Sequence, residues 1–123
     1  MNNRWILPLA GLLVALATIL GAFGAHALQS RLAPERLGIY ETAVRYQFYH
    51  ALGLLVIGWI ARTTDLPLLR WSALLVVVGI VLFSGSIYAL SFGAPRPLGI
   101  VTPFGGLALI VGWIMFAVAV TRV

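Results

Sequence analysis

Apolar residues run along this chain in four long stretches: residues 5–25, residues 49–61 with a more polar lead-in from Thr42, residues 71–92 and residues 100–120. A helix rises about 1.5 Å per residue and the hydrocarbon core of a bilayer is about 30 Å thick, so about 20 apolar residues are the natural length for crossing it. The pattern predicts an all-α, polytopic membrane protein, a single four-span domain over residues 1–123. The first connection, residues 28–41, sets Leu32, Leu37 and Tyr40 among Gln29, Ser30, Arg31, Glu35 and Arg36. That spacing predicts a short amphipathic helix on the membrane surface, starting near Pro34 with proline in its first turn. The second connection, residues 62–70, is short. The third, residues 93–103, carries Pro95, Pro97 and Pro103, each of which disfavours helix at the residue before it. Three short links predict antiparallel neighbours, an up-down-up-down four-helix transmembrane bundle with both termini on one side.

Composition leads independently to the same class. The chain is 62% apolar and only 9% charged, against about 25% charged residues in soluble domains. A water-soluble bundle of this make-up has nothing to cover its outside. All eight basic residues are arginines, and with three acids they give a net charge of +5. They stand singly at the ends of spans, where a guanidinium reaches lipid phosphates while its stem stays in the apolar layer. No basic stripe follows a nucleic-acid backbone, so the partner this charge implies is the lipid bilayer. Counting arginines does not orient the chain, because Arg4, Arg62, Arg70 and Arg122 balance Arg31, Arg36, Arg45 and Arg96. Cysteine is absent, which removes disulfides, thiol redox chemistry, thiolate metal sites and lipid attachment to cysteine.

Arg4 followed by an apolar run ending at Ala25-His26-Ala27 imitates a signal peptide. The run exceeds the usual core of about 7 to 15 residues, so an uncleaved first span is expected. Residues 12–28 also align without gaps on residues 74–90, with His26 opposite Tyr88. Either a duplication of two-helix units or chance in an apolar alphabet accounts for this echo.

Small residues recur at four-residue spacing in the first and fourth spans, as Gly11/Ala15, Ala17/Gly21/Ala25, Gly105/Leu109 and Ala108/Gly112. In lipid such positions let helix backbones approach closely. Polar residues are few in the spans, and those that gather toward one end are His26, Tyr46, Gln47, His50, Ser84, Tyr88, Ser91 and Thr102. Span ends and starts place them at one membrane face, where they are expected to bond to one another or line a wet cavity, since unpaired polar groups in hydrocarbon cost several kcal/mol each. Glu41 and Arg45, four apart at the start of the second span, are expected to form an ion pair.

Three strings carry a resemblance: GAFGAHAL at residues 21–28, YETAVRYQFYHALGLL at residues 40–55 and TPFGGLALIVGW at residues 102–113. They resemble the signature of the small four-helix membrane proteins grouped as domain of unknown function 423, and are similar to the transmembrane protein 256 family. The resemblance implies a multi-pass bacterial inner-membrane protein and carries over no activity, substrate or cofactor.

Three classes of function remain. In a haem or metal protein, His26 and His50 at similar depth on adjacent helices would begin the site. Only Glu41 offers a carboxylate nearby, however, and structural histidines bonded to Tyr46, Tyr88 or a backbone carbonyl are the simpler account. A Ser-His-Asp hydrolase fails because Asp65 belongs to the opposite face. A small-molecule or proton-linked transporter suits the four short spans, and histidine can shuttle protons, but no acid lies in a span interior. A structural or accessory subunit requires least and is the leading reading. Trp5, Trp59, Trp71 and Trp113 serve it as interfacial anchors, with Trp113 the deepest. Its partner would be another membrane protein or a second copy, met through the small-residue faces of the first or fourth span.

Overall fold

In the computed structural model, which describes residues 2–123, the chain forms four helices: α1 (Ile6–His26), α2 (Pro34–Thr63), α3 (Pro67–Ser91) and α4 (Val101–Val120). Single 3₁₀ turns at Leu28–Ser30 and Arg96–Ile100 interrupt the first and third links. Proline opens both α2 and α3, each time after an extended residue, Ala33 or Leu66. There its fixed φ suits the first turn and its missing N–H costs nothing. α3 closes at Gly93, whose φ of +96° is the left-handed conformation that ends helices.

Helices α1 and α3, and the segment 96–120 containing α4, are each long and apolar enough to cross a membrane. α2 is the longest at 30 residues, about 45 Å, and more polar in its first half, which holds Glu35, Arg36, Glu41 and Arg45. The separate surface helix expected at Pro34 is therefore corrected: the helix starts there but runs unbroken into the second span. Nothing stops it, since no further proline occurs before Thr63 and an interior glycine such as Gly38 or Gly53 costs a helix only about 1 kcal/mol.

Each helix packs on its neighbour in sequence, α1 on α2, α2 on α3 and α3 on α4, while α1 and α4 share no comparable contact. Hydrogen bonds from Tyr40 to Leu20 and from Gln47 to Leu13 show that α1 and α2 run antiparallel. The apolar core gathers Ile6, Ala10, Leu54, Ile57, Leu69, Ala73, Val76 and Leu109, and a smaller cluster of Leu28, Tyr40 and Val44 lies toward the other end. α3 and α4 approach to backbone contact. A β-carbon at Gly105 would lie 2.3 Å from the Phe83 nitrogen, and one at Gly112 would lie 3.2 Å from the Ser72 carbonyl oxygen.

The small residues thus divide. Ala17, Gly105, Leu109 and Gly112 are buried within the chain, and Gly21 packs against Val44. By contrast Gly11, Ala15, Thr18, Ala22 and Ala25 are exposed along one side of α1. Elsewhere the lateral surface is largely bulky and apolar, with Leu12, Ile19, Phe104, Leu107, Ile110 and Ile114 exposed.

Candidate functional site

Two separate polar nodes replace the single cluster expected at one membrane face. The first joins three helices. Gln47, only 2% exposed, donates from Nε2 to the Leu13 carbonyl oxygen of α1 at 2.9 Å and accepts at Oε1 from the Tyr88 hydroxyl of α3 at 2.6 Å. Tyr88 packs edge-on against Tyr40, whose hydroxyl donates to the Leu20 carbonyl oxygen. Tyr40 fits because residue 24 is glycine: a β-carbon there would lie 2.6 Å from the tyrosine Cε1. Ser84 Oγ donates to the Ala43 carbonyl oxygen at 2.9 Å, a further tie between α3 and α2. In hydrocarbon each of these groups needs an internal partner, and each has one.

The second node lies between α2 and α4. Trp113 Nε1 donates to His50 Nδ1 at 2.9 Å. The Tyr46 ring stacks on the imidazole with centroids 6.0 Å apart and leans on Phe83 at 5.0 Å. Together with Gly106, Leu109, Ile110 and Ile114 these side chains line a groove of about 510 Å³ open to the side of the bundle. An indole nitrogen can only donate, so His50 Nδ1 is the acceptor and the ring proton sits on Nε2. That nitrogen has no hydrogen-bond partner and is not enclosed, since the buried unpaired side-chain atoms are Asn3 Oδ1 and Trp5 Nε1. It remains reachable from the groove.

His26 belongs to neither node. It is exposed at the end of α1. The Leu13–Gln47 and Leu20–Tyr40 bonds fix the register of α1 on α2, which sets His26 and His50 about 24 Å apart along the bundle. They cannot share a metal or a haem, so the two-histidine site is corrected. Among the described residues no group of three His, Asp or Glu side chains comes close enough to hold a metal ion. Thr102 lies elsewhere again, its hydroxyl 2.5 Å from that of Ser86 across α3 and α4. Ser91 bonds locally to the Tyr88 carbonyl oxygen. The expected Glu41–Arg45 ion pair does not form: Arg45 Nη2 donates to Thr42 Oγ1 at 3.3 Å, and both charged residues line a cleft of about 340 Å³ with Gln29 and Tyr40. At the end that carries the termini, Asn2, Arg4, Arg62, Thr63 and Asp65 surround a groove of about 610 Å³. Asp65 is thus at the far end from Ser84 and Ser86, as the hydrolase argument required.

Sequence reasoning missed Tyr40, assigned to a surface helix though it is 1% exposed, and it missed Ser86 and the Trp113–His50 bond. A signal for Tyr40 was present. Tyr40, Val44, Gln47, Ala51, Leu54, Gly58 and Ala61 are all buried, a 3.5-residue repeat that marks one helix face from end to end.

The chain matches the model of the family described as protein of unknown function (DUF423) over residues 20–106. It is 46% identical over 99 residues to a UPF0382 membrane protein of Staphylococcus haemolyticus, covering 80% of each chain. A UPF0382 membrane protein of Staphylococcus saprophyticus is 45% identical over 103 residues, 84% of this chain and 85% of the relative. The UPF0382 membrane protein YwdK of Bacillus subtilis is 44% identical over 108 residues, 87% of this chain and 88% of the relative. No solved structure matches.

Proposed function

We infer that this chain, which belongs to the DUF423 family of multi-pass membrane proteins, is a non-catalytic accessory subunit that works by lateral association in the bilayer. The observation that carries this reading is the unused side of α1. Among the long helices α1 packs chiefly on α2, and a side left free presents Gly11, Ala15, Thr18, Ala22 and Ala25, all exposed, with Ala25 at the edge of the cleft that α1 shares with α2. A β-carbon at Gly11 would meet nothing within 4 Å. Small residues at this spacing allow close helix contact, where dispersion between backbones drives association that hydrophobic burial cannot drive in lipid. The internal polar groups, by contrast, are largely engaged in tying helices together.

The absence of cysteine makes the test clean. Single thiols are introduced as Ala15→Cys and Ala22→Cys on the small face, and as Leu12→Cys and Ile110→Cys on bulky lipid-facing positions. Oxidation in native membranes is expected to cross-link the first two, to a second copy or to a partner resolved by mass, and to leave the last two monomeric. Ala22→Leu is expected to abolish the complex without lowering the thermal midpoint. Equal cross-linking at all four positions, or at none, refutes the reading.

A further inference from the structure

The groove between α2 and α4 combines features that lipid chains alone do not satisfy. Three aromatic rings, Tyr46, Phe83 and Trp113, and the bare backbone of Gly106 form its walls. Its polar groups are few: His50 Nε2, left without a partner by the Trp113 bond at Nδ1, and the Tyr46 hydroxyl, which bonds to no group of the chain. Trp113, its hydrogen-bond partner, stands about 18 Å from the start of α4 and about 10 Å from its end, within a segment long and apolar enough to cross a membrane, so His50 lies at the level of a spanning helix. A donor at that depth gains most from an acceptor that is itself lipid-soluble. The volume, about 510 Å³, falls in the usual range of small-molecule sites, about 300–1,000 Å³, and an apolar wall with a few orienting polar groups matches their usual chemistry.

We propose that the α2–α4 groove binds a lipid-soluble quinone, its flat ring against Tyr46, Phe83 and Trp113 and one ring carbonyl accepting from His50 Nε2. Trp113 is the positioning residue. Its indole N–H occupies Nδ1 and thereby holds the imidazole in the tautomer that donates into the groove. Binding is the whole of the proposal; no electron transfer is assigned. The site stands on α2 and α4, away from the exposed face of α1, and does not depend on the association argued above.

The test uses the intact protein in nanodiscs, with decylubiquinone as the probe and decylbenzene as a chain-matched control lacking carbonyls. A His26→Gln background leaves His50 as the only histidine, so the imidazole ¹⁵N spectrum reports on it alone. Saturable binding of decylubiquinone is expected, with a downfield shift of the Nε2 proton and at least tenfold weaker binding of decylbenzene. His50→Phe, which removes the donor, is expected to weaken binding about fivefold or more, within the worth of one buried hydrogen bond. Because that variant also strips Trp113 of its acceptor, Gly106→Leu provides a second arm. A β-carbon at Gly106 makes only ordinary contacts with Phe83, 3.6 Å at the nearest, so the backbone accepts a leucine there; its side chain takes up groove volume while both hydrogen-bonding residues are retained, and it is expected to abolish saturable binding. Unsaturable partitioning that is the same in wild type and Gly106→Leu overturns the proposal. So does equal affinity for the two probes, a spectrum with the proton on Nδ1, or a cross-linked dimer through Ile110→Cys, which would make the groove a helix-docking surface.

Discussion

Replacing Gln47 by leucine removes a side chain that bonds to both neighbouring helices, α1 and α3. The substitution deletes a 2.9 Å bond to the Leu13 carbonyl oxygen and a 2.6 Å bond from Tyr88. The carbonyl keeps its own helical donor and loses little, whereas the Tyr88 hydroxyl loses its acceptor. Interhelical hydrogen bonds in membranes average about 0.6 kcal/mol and reach about 1.7, while an orphaned buried polar group costs about 1–3 kcal/mol. Gln47→Leu is therefore expected to destabilise by about 1–2 kcal/mol. Tyr88→Phe, which orphans Gln47 Oε1 instead, should cost a similar amount. The double variant leaves no polar atom of this pair unpaired, so it should cost about as much as either single change, giving a coupling of about 1 kcal/mol. Reversible unfolding in mixed micelles, followed by far-ultraviolet circular dichroism, measures all four corners of the cycle. Additivity within about 0.4 kcal/mol, the scatter of independent sites, would refute the clamp.

The two adjacent glycines of α4 should separate sharply: Gly105→Ala drives a methyl to 2.3 Å from the Phe83 backbone and should lower the thermal midpoint strongly, while Gly106→Ala, with 3.6 Å of room, should leave it unchanged. Gly24→Ala should be destabilising in the presence of Tyr40 and nearly neutral in a Tyr40→Leu background, since the clash is with that ring. Glu41→Gln should change stability by less than about 0.5 kcal/mol, the range of surface substitutions, because Arg45 is bonded to Thr42 and not to Glu41. His26→Gln should be equally silent and leave the His50 imidazole spectrum unaltered, which a shared ligand between the two rings would forbid.

Helix number, order and antiparallel pairing were legible because the spans are set by length and hydropathy, which are local properties. Helix bounds were less so. The apolar pattern starts the second span near Thr42, whereas the helix begins at Pro34 and carries His50 about 24 Å from its start. Hydropathy shortened α2 because its first half carries Glu35, Arg36, Glu41 and Arg45, all exposed, while Gln47, equally polar by type, is buried against other helices. The residue types of the site were thus visible and their partners were not. Whether Gln47 meets Leu13 or His26 depends on the register of α1 on α2, and Gly24, Gly21 and Tyr40 set that register by shape.

The same contrast separates the two nodes. Around Gln47 and Ser84 the side-chain donors end on an acceptor within the chain, so that region gains helix-to-helix specificity and leaves no group for a ligand. Around His50 the balance is incomplete, with His50 Nε2 and the Tyr46 hydroxyl both without a partner in the chain, and the aromatic residues that hold the ring also line the groove. A chain that satisfies its polar atoms so fully in one half of the bundle has the means to do so in the other. A serine or threonine on α4 level with His50 would suffice, yet the positions lining the groove there are Gly106, Leu109, Ile110 and Ile114. In hydrocarbon an unmet donor is costly, so the groove at His50, unlike the exposed end of α1 that carries His26, holds a polar group that a bound molecule can satisfy.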